Sequence, residues 1–158
     1  MPIGAEYEDG SIYIIDWVFS KATKKYTVPI VAGKILKHGI QQINFEANNG
    51  GHIYKDLVEV HLKGIQKNYP CSMTSTSAPN TMAKLTKIIQ CSDDIKDKMI
   101  FLEPSKRDED YKNAMDELTM FVQIGKNEHD DAADGLSQLV LYGLCGRLAT
   151  VEVFKRPW

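Results

Sequence analysis

The chain has 158 residues, of which 43% are hydrophobic and 25% charged, and its formal net charge is -2. That composition excludes a disordered chain, and the length suits one domain, residues 1–158, with a sizeable core. A net charge so close to zero neither demands nor excludes a nucleic-acid partner, because an acid-rich site can offset a basic groove.

The three cysteines, Cys71, Cys91 and Cys145, are odd in number and widely spaced, with no CxxC pair. Reduced cysteines in an intracellular protein fit this better than a disulfide or a zinc site. No apolar run approaches the roughly 18 residues of a membrane span. Met1 to Glu6 has neither the basic start nor the apolar stretch of a signal peptide, so a cytoplasmic location is expected.

In chain order, Ile3–Glu8, Asp9-Gly10 and Ser11–Phe19 predict an antiparallel hairpin with a two-residue turn. Its second strand is apolar almost throughout, which predicts cover on both faces. Thr27 is expected to cap a helix from Val28 to Lys37, with Pro29 in its first turn and Gly39 ending it. Gln42–Glu46 reads as a strand parallel to its neighbour, broken by Asn48-Asn49-Gly50-Gly51. The helix after it should bury Ile53, Leu57, Val60 or His61, and Ile65.

A strand around Cys71–Thr76 follows, then a helix opened by Asn80 or Thr81 that passes through Leu85, Ile88 and Ile89. Ile100–Leu102 is a last short strand. A charged helix from Arg107 carries Tyr111, Met115 and Leu118, and a final helix runs from Asn127 to Leu148. Val151–Lys155 reads equally as a strand or an arm. Helices alternating with strands after a hairpin predict an α/β fold with a mixed sheet covered by helices.

Two segments carry chemistry. Glu46 ends a strand just before a flexible turn and a helix, the position from which open α/β sheets reach ligands. The alternative is a solvent-facing glutamate before an ordinary turn. In the second segment, Asp130, Asp131 and Asp134 fall within about a third of the circumference of the last helix. One or two acids there would complement the positive helix end. Three acids, at roughly 0.2–0.5 kcal/mol of repulsion per pair, point instead to a divalent cation held by hard oxygen ligands. Zinc fits poorly, because His129 has no partner at metal-site spacing and His38, His52 and His61 are scattered. There is no GxSxG elbow and no Walker A sequence.

Taken together, Ile12–Asp16, Glu46-Ala47-Asn48-Asn49-Gly50-Gly51 and Gly125–Leu136 resemble the nuclease domain of bacteriophage terminase large subunits. These are members of the ribonuclease H-like superfamily. An acid-x-Asn-Asn-Gly-Gly turn followed about 80 residues later by His-Asp-Asp-Ala-x-Asp-x-Leu is hard to obtain by chance. The resemblance implies a ribonuclease H-like mixed sheet flanked by helices, and two Mg²⁺ or Mn²⁺ ions used to cut concatemeric double-stranded DNA during genome packaging. It implies Glu46, Asp131 and Asp134 as metal ligands, Asp130 as the alternative, and His129 as a group orienting a carboxylate or the scissile phosphate. Asn48, Asn49, Lys84, Lys87, Lys106, Arg107 and Lys126 are the expected phosphate contacts.

The resemblance also implies a bacterial host cell, of phage or prophage origin. The motor ATPase domain, the portal and the terminase small subunit are the implied partners. The family begins with an Asp-bearing strand ahead of the hairpin, and here the hairpin starts almost at Met1. The expectation is therefore a fragment lacking that strand and the ATPase domain, with feeble or absent activity alone. Two other readings stand beside it: another ribonuclease H-like nuclease such as a Holliday-junction resolvase, and an inactive DNA-binding or assembly module.

Overall fold

A computed structural model describes residues 1–47, 50–76, 84–122, 127 and 129–144. Among these, no helix is long and apolar enough to cross a membrane. The architecture is mixed α/β, and the chain divides into two compact units, Met1–Phe19 with Met82–Trp158, and Ser20–Thr81.

The first unit holds a three-stranded mixed sheet. β1 (Pro2–Glu6) pairs antiparallel with β2 (Ile12–Trp17), as the Asp-Gly signal predicts, and β5 (Met99–Phe101) joins β2 in parallel. The connection is three residues long, not two. Tyr7 N–H donates to the Ser11 carbonyl and Gly10 N–H to the Tyr7 carbonyl, both at 3.0 Å, and only then does Gly10 (φ 82°) turn left-handed. The Asp9 carboxylate holds this geometry by accepting from both the N–H and the hydroxyl of Ser11.

The register of β2 slips at Ile15: Ile3 faces Asp16 but Gly4 faces Ile14. This bulge changes the side-chain parity, so that Trp17 joins Ile12 and Ile14 in one core cluster. Cover on both faces of β2 was expected. Tyr13 is instead 39% exposed and stacks at a tilt on Tyr7, because the helices of this unit cover the Ile12/Ile14/Trp17 side.

Three helices supply that cover: α3 (Lys84–Lys98), α4 (Glu109–Met120) and α5 (Asp131–Leu139), the last continued by one π-helical turn over Val140–Leu144. Asp108 caps α4 by accepting from Tyr111 N–H. Tyr111 is fully buried, edge-on to Trp17. Its hydroxyl donates to the Ile14 carbonyl at 2.8 Å and accepts from Leu102 N–H at 3.0 Å, tying α4 to both β2 and the end of β5. Burial pushes its phenol pKa up, against the pull of the Leu102 hydrogen bond and the Arg107 charge.

Tyr111→Phe should lower stability by about 1–2 kcal/mol at neutral pH, since it removes the buried bond to the Ile14 carbonyl and orphans the half-buried Leu102 N–H. A tyrosine pKa raised by folding contributes stability that is complete below its unfolded value, near 10, and is lost as pH climbs through the folded value. Urea midpoints should therefore fall above about pH 10 in the parent and fall less steeply in Tyr111→Phe.

The second unit is built on two parallel strands, β3 (Gln42–Glu46) and β4 (Ser72–Thr76), paired from Gln42↔Ser72 to Glu46↔Thr76. Asn44, Thr74 and Thr76 add side-chain hydrogen bonds across them. Two helices, α1 (Lys24–His38) and α2 (Gly51–Ile65), pack on each other, and α2 packs on both strands.

Helix α1 begins four residues before the predicted start, after Thr23. The Thr27 hydroxyl bonds back to the Thr23 carbonyl inside the helix and caps nothing. Pro29 is thus the sixth helical residue, and α1 lacks the bond an N–H there would make to Lys25. Gly39 (φ 63°) ends the helix as predicted.

In α2 the helical period was read correctly but the phase was not. The predicted stripe is exposed, with Ile53 at 50%, Val60 at 71% and Ile65 at 57%, while Val58 and Leu62 are buried and Tyr54 packs on Phe45. The reason is Gly51. It shares a face with Tyr54, Val58 and Leu62, and the backbone approaches Glu46 so closely there that this face has to turn inward.

Candidate functional site

The start of α5 gathers three carboxylates. Asp130 is the N-cap residue and Asp131 and Asp134 occupy the first turn. Asp130 does not cap with its side chain. Glu117, from α4, reaches across and accepts from Ala132 N–H at 2.7 Å, taking one of the donors that open a helix. The Asp130 carboxylate accepts instead from Lys84. Asn127, the predicted cap, instead clasps the backbone of Val122 through two hydrogen bonds of 2.9 Å each. Ala132, Ala133, Leu136 and Val140 are buried, and they fix the face on which the acids emerge.

Facing these acids is the first turn of α3. Lys84 Nζ lies 2.5 Å from Asp130 Oδ1, 3.0 Å from Asp131 Oδ1 and 3.9 Å from Asp134 Oδ2. Lys87 pairs with Asp134 Oδ1, an oxygen screened from solvent, in an ion pair whose angles are not those of a hydrogen bond. Further along, the Cys91 thiol lies 3.7 Å from the Ser137 carbonyl. Contacts that advance together along both helices mean that α3 and α5 run parallel. The i,i+3 lysines thereby meet the i,i+3 aspartates Asp131 and Asp134.

Exposure differs sharply across the cluster. The Asp131 side chain is 76% exposed, whereas those of Asp134 and Lys87 are 15% and 14%. Burial disfavours the Lys84 charge, but hydrogen bonds to Asp130 and Asp131 and the charge of Asp134 outweigh it, and its pKa stands above the usual lysine value.

Three carboxylates surround one ammonium. Among the described residues no group of three or more His, Cys, Asp or Glu side chains is placed to hold a metal as it stands, and Lys84 occupies the centre.

Glu46 lies in the second unit, at the carboxyl end of β3, half-buried. Gly50 (φ 86°) adopts the left-handed conformation that starts α2, and Gly51 follows as its first residue. A Cβ on Gly51 would lie 1.6 Å from the Glu46 carbonyl oxygen. The two glycines therefore do separate work: one supplies a backbone angle and the other supplies room.

His129 is exposed beside the acids. Of the expected phosphate contacts, Lys84 and Lys87 are engaged by the aspartates. Arg107 donates to the Leu102 carbonyl at 2.7 Å and lies over the Tyr111 ring, which makes it part of the fold. Lys106 points outward beside Glu103. Asn48, Asn49, Lys126 and Cys145, the predicted opening of the third helix at Asn80 or Thr81, and the Val151–Lys155 segment lie outside the described residues.

The roles of three residues were missed in the sequence. Glu117 carried no signal, being 15 residues from the N–H it caps. Lys84 and Lys87 were read as phosphate contacts, although their three-residue spacing matches that of Asp131 and Asp134. No protein-family model, curated protein or solved structure matches this chain.

Proposed function

We propose that this chain is a ribonuclease H-like, divalent-cation-dependent endonuclease domain of the terminase type, acting on double-stranded DNA. The observation that carries the reading is the convergence of Asp130, Asp131 and Asp134 on a single positive charge at the start of α5. Asp131 and Asp134 are the ligands in this reading, Asp130 stands at their margin, and Glu46 is assigned the same task by its motif. Mg²⁺ or Mn²⁺ bound there would activate water and stabilise the leaving oxygen of a phosphodiester.

The chain's own groups prepare the site. Glu117 fixes where α5 begins, Lys87 holds Asp134 in place, and Gly51 sets the end of β3 that presents Glu46. His129 orients a carboxylate or the phosphate under attack. Genome packaging, with a motor ATPase, a portal and a small subunit as partners, is the setting that the motifs favour.

Incubation of supercoiled plasmid with Mn²⁺ tests the activity. Nicked and linear products that disappear with chelator support it, and cutting confined to four-way junctions would reassign the domain as a resolvase. Binding is expected to run mainly through phosphates and to weaken steeply between about 50 and 200 mM salt, because cation release drives it. Salt-insensitive binding would contradict that. A second reading, a DNA-binding or assembly module without catalysis, is favoured by one observation: both lysines already neutralise the acids. Absence of Mn²⁺ binding together with retained DNA binding would select it.

A further inference from the structure

We propose that the outward face of α2 is a self-complementary seam through which two copies of this chain pair antiparallel. The proposal is independent of the nuclease reading. Ile53, Leu57, Val60 and Gly64 follow one another at intervals of four, three and four residues, the spacing by which two helices mesh along a narrow seam. All four lie on the side of α2 opposite Val58 and Leu62, which are buried, and all four are exposed. Helix α2 thus has two apolar faces, one packed within its own unit and one turned to solvent between polar flanks, the pattern of a protein-binding surface.

The sequence of the face selects a second copy as its occupant. Turned end for end about a two-fold axis between Leu57 and Val60, the seam meets itself. Ile53 then lies against the partner's Gly64 and Leu57 against the partner's Val60, and each contact recurs with the roles exchanged. There is room for this match, because nothing lies within 4 Å of where a Cβ on Gly64 would stand. Asp56 and Lys63 emerge on one flank of the seam, with side chains 65% and 62% exposed. The reversal brings Asp56 beside the partner's Lys63, and Lys63 beside the partner's Asp56. Within the chain they pair only at the surface, Asp56 with Lys55 and Lys63 with Glu59, and such pairs yield readily to a new neighbour. A parallel pairing would set glycine against glycine and separate Asp56 from the partner's Lys63. The seam spans one 15-residue helix, so the buried area should stay below about 1,200 Å² in total and the dimer should be transient.

Sedimentation velocity of the full chain over a concentration series tests this, with the charges of the flank exchanged. The parent should pass from monomer to dimer as concentration rises. Asp56→Lys alone and Lys63→Asp alone should each weaken the dimer by about tenfold, because each sets like charges against each other twice. Mixed in equal amounts, the two variants should dimerise again, since every flank contact between them joins opposite charges. Val60→Asp should stay monomeric throughout, and as all these sites are exposed, each variant should keep the parent's circular dichroism.

A parent that remains monomeric at its highest attainable concentration overturns the proposal. So does a dimer that survives Val60→Asp or ignores both charge exchanges, because it would use another surface. A mixture of Asp56→Lys and Lys63→Asp that stays monomeric contradicts the antiparallel arrangement.

Discussion

Gly51→Ala is expected to destabilise the Ser20–Thr81 unit by about 3 kcal/mol or more, the upper range for overpacking against a part that cannot rotate away. The new methyl group would sit 1.6 Å from the Glu46 carbonyl oxygen and 2.7 Å from its carbonyl carbon, and backbone has no alternative rotamer. Either α2 lifts from β3 or the end of β3 shifts, and in both cases Glu46 loses its place. Gly50→Asn is the control. Gly50 needs a left-handed backbone (φ 86°), which asparagine tolerates better than other side chains, so its cost should stay within about 1 kcal/mol. Urea denaturation of both variants gives the comparison, and equal midpoints would show that no close approach exists at Gly51.

Where Mn²⁺-dependent plasmid cleavage by the parent is detectable, Asp131→Ala should cut it by more than about 100-fold, because even groups that only support metal ligands are worth 10–100-fold. The Asp131 side chain is 76% exposed and its Lys84 pair is at the surface, so stability should change by no more than about 0.5 kcal/mol. That separation of activity from stability makes Asp131 a cleaner probe than Asp134. Asp134→Asn should lose cleavage as severely, but it also strips the largely buried Lys87 of its counterion and should lower stability by about 3 kcal/mol. Glu46→Ala should match Asp131→Ala in activity. An Asp131→Ala protein that cuts at the parent rate would be incompatible with the assigned role.

How much of this was legible depends on how local the determinant is. The hairpin, the Gly39 stop and the strand ending at Glu46 follow from signals within a few residues, and all are present. The single mixed sheet is not present among the described residues, because β3 pairs in parallel with β4 in a two-stranded sheet and not with the hairpin, a choice made by residues far apart in the chain. The hairpin loop gained a residue because the Asp9 side chain favours the Ser11 contacts, a choice that the Asp-Gly pair does not encode. The α2 face was misread by about one residue because its phase is set by one backbone contact at Gly51, and periodicity is blind to contacts between backbones.

At the candidate site the acids were legible from their spacing, but their environment was not. The Lys84 and Lys87 pairs span 46 and 47 residues, a distance at which a charged side chain gives no hint of its partner. The same holds for Glu117, whose role depends on how α4 meets the start of α5.

The proposed function requires that Asp131 and Asp134 hold a divalent cation. The most direct measurement is anomalous scattering from a crystal grown with Mn²⁺. A manganese peak coordinated by oxygens from both aspartates is the predicted result. A crystal that shows no peak there in the presence of Mn²⁺ would contradict it.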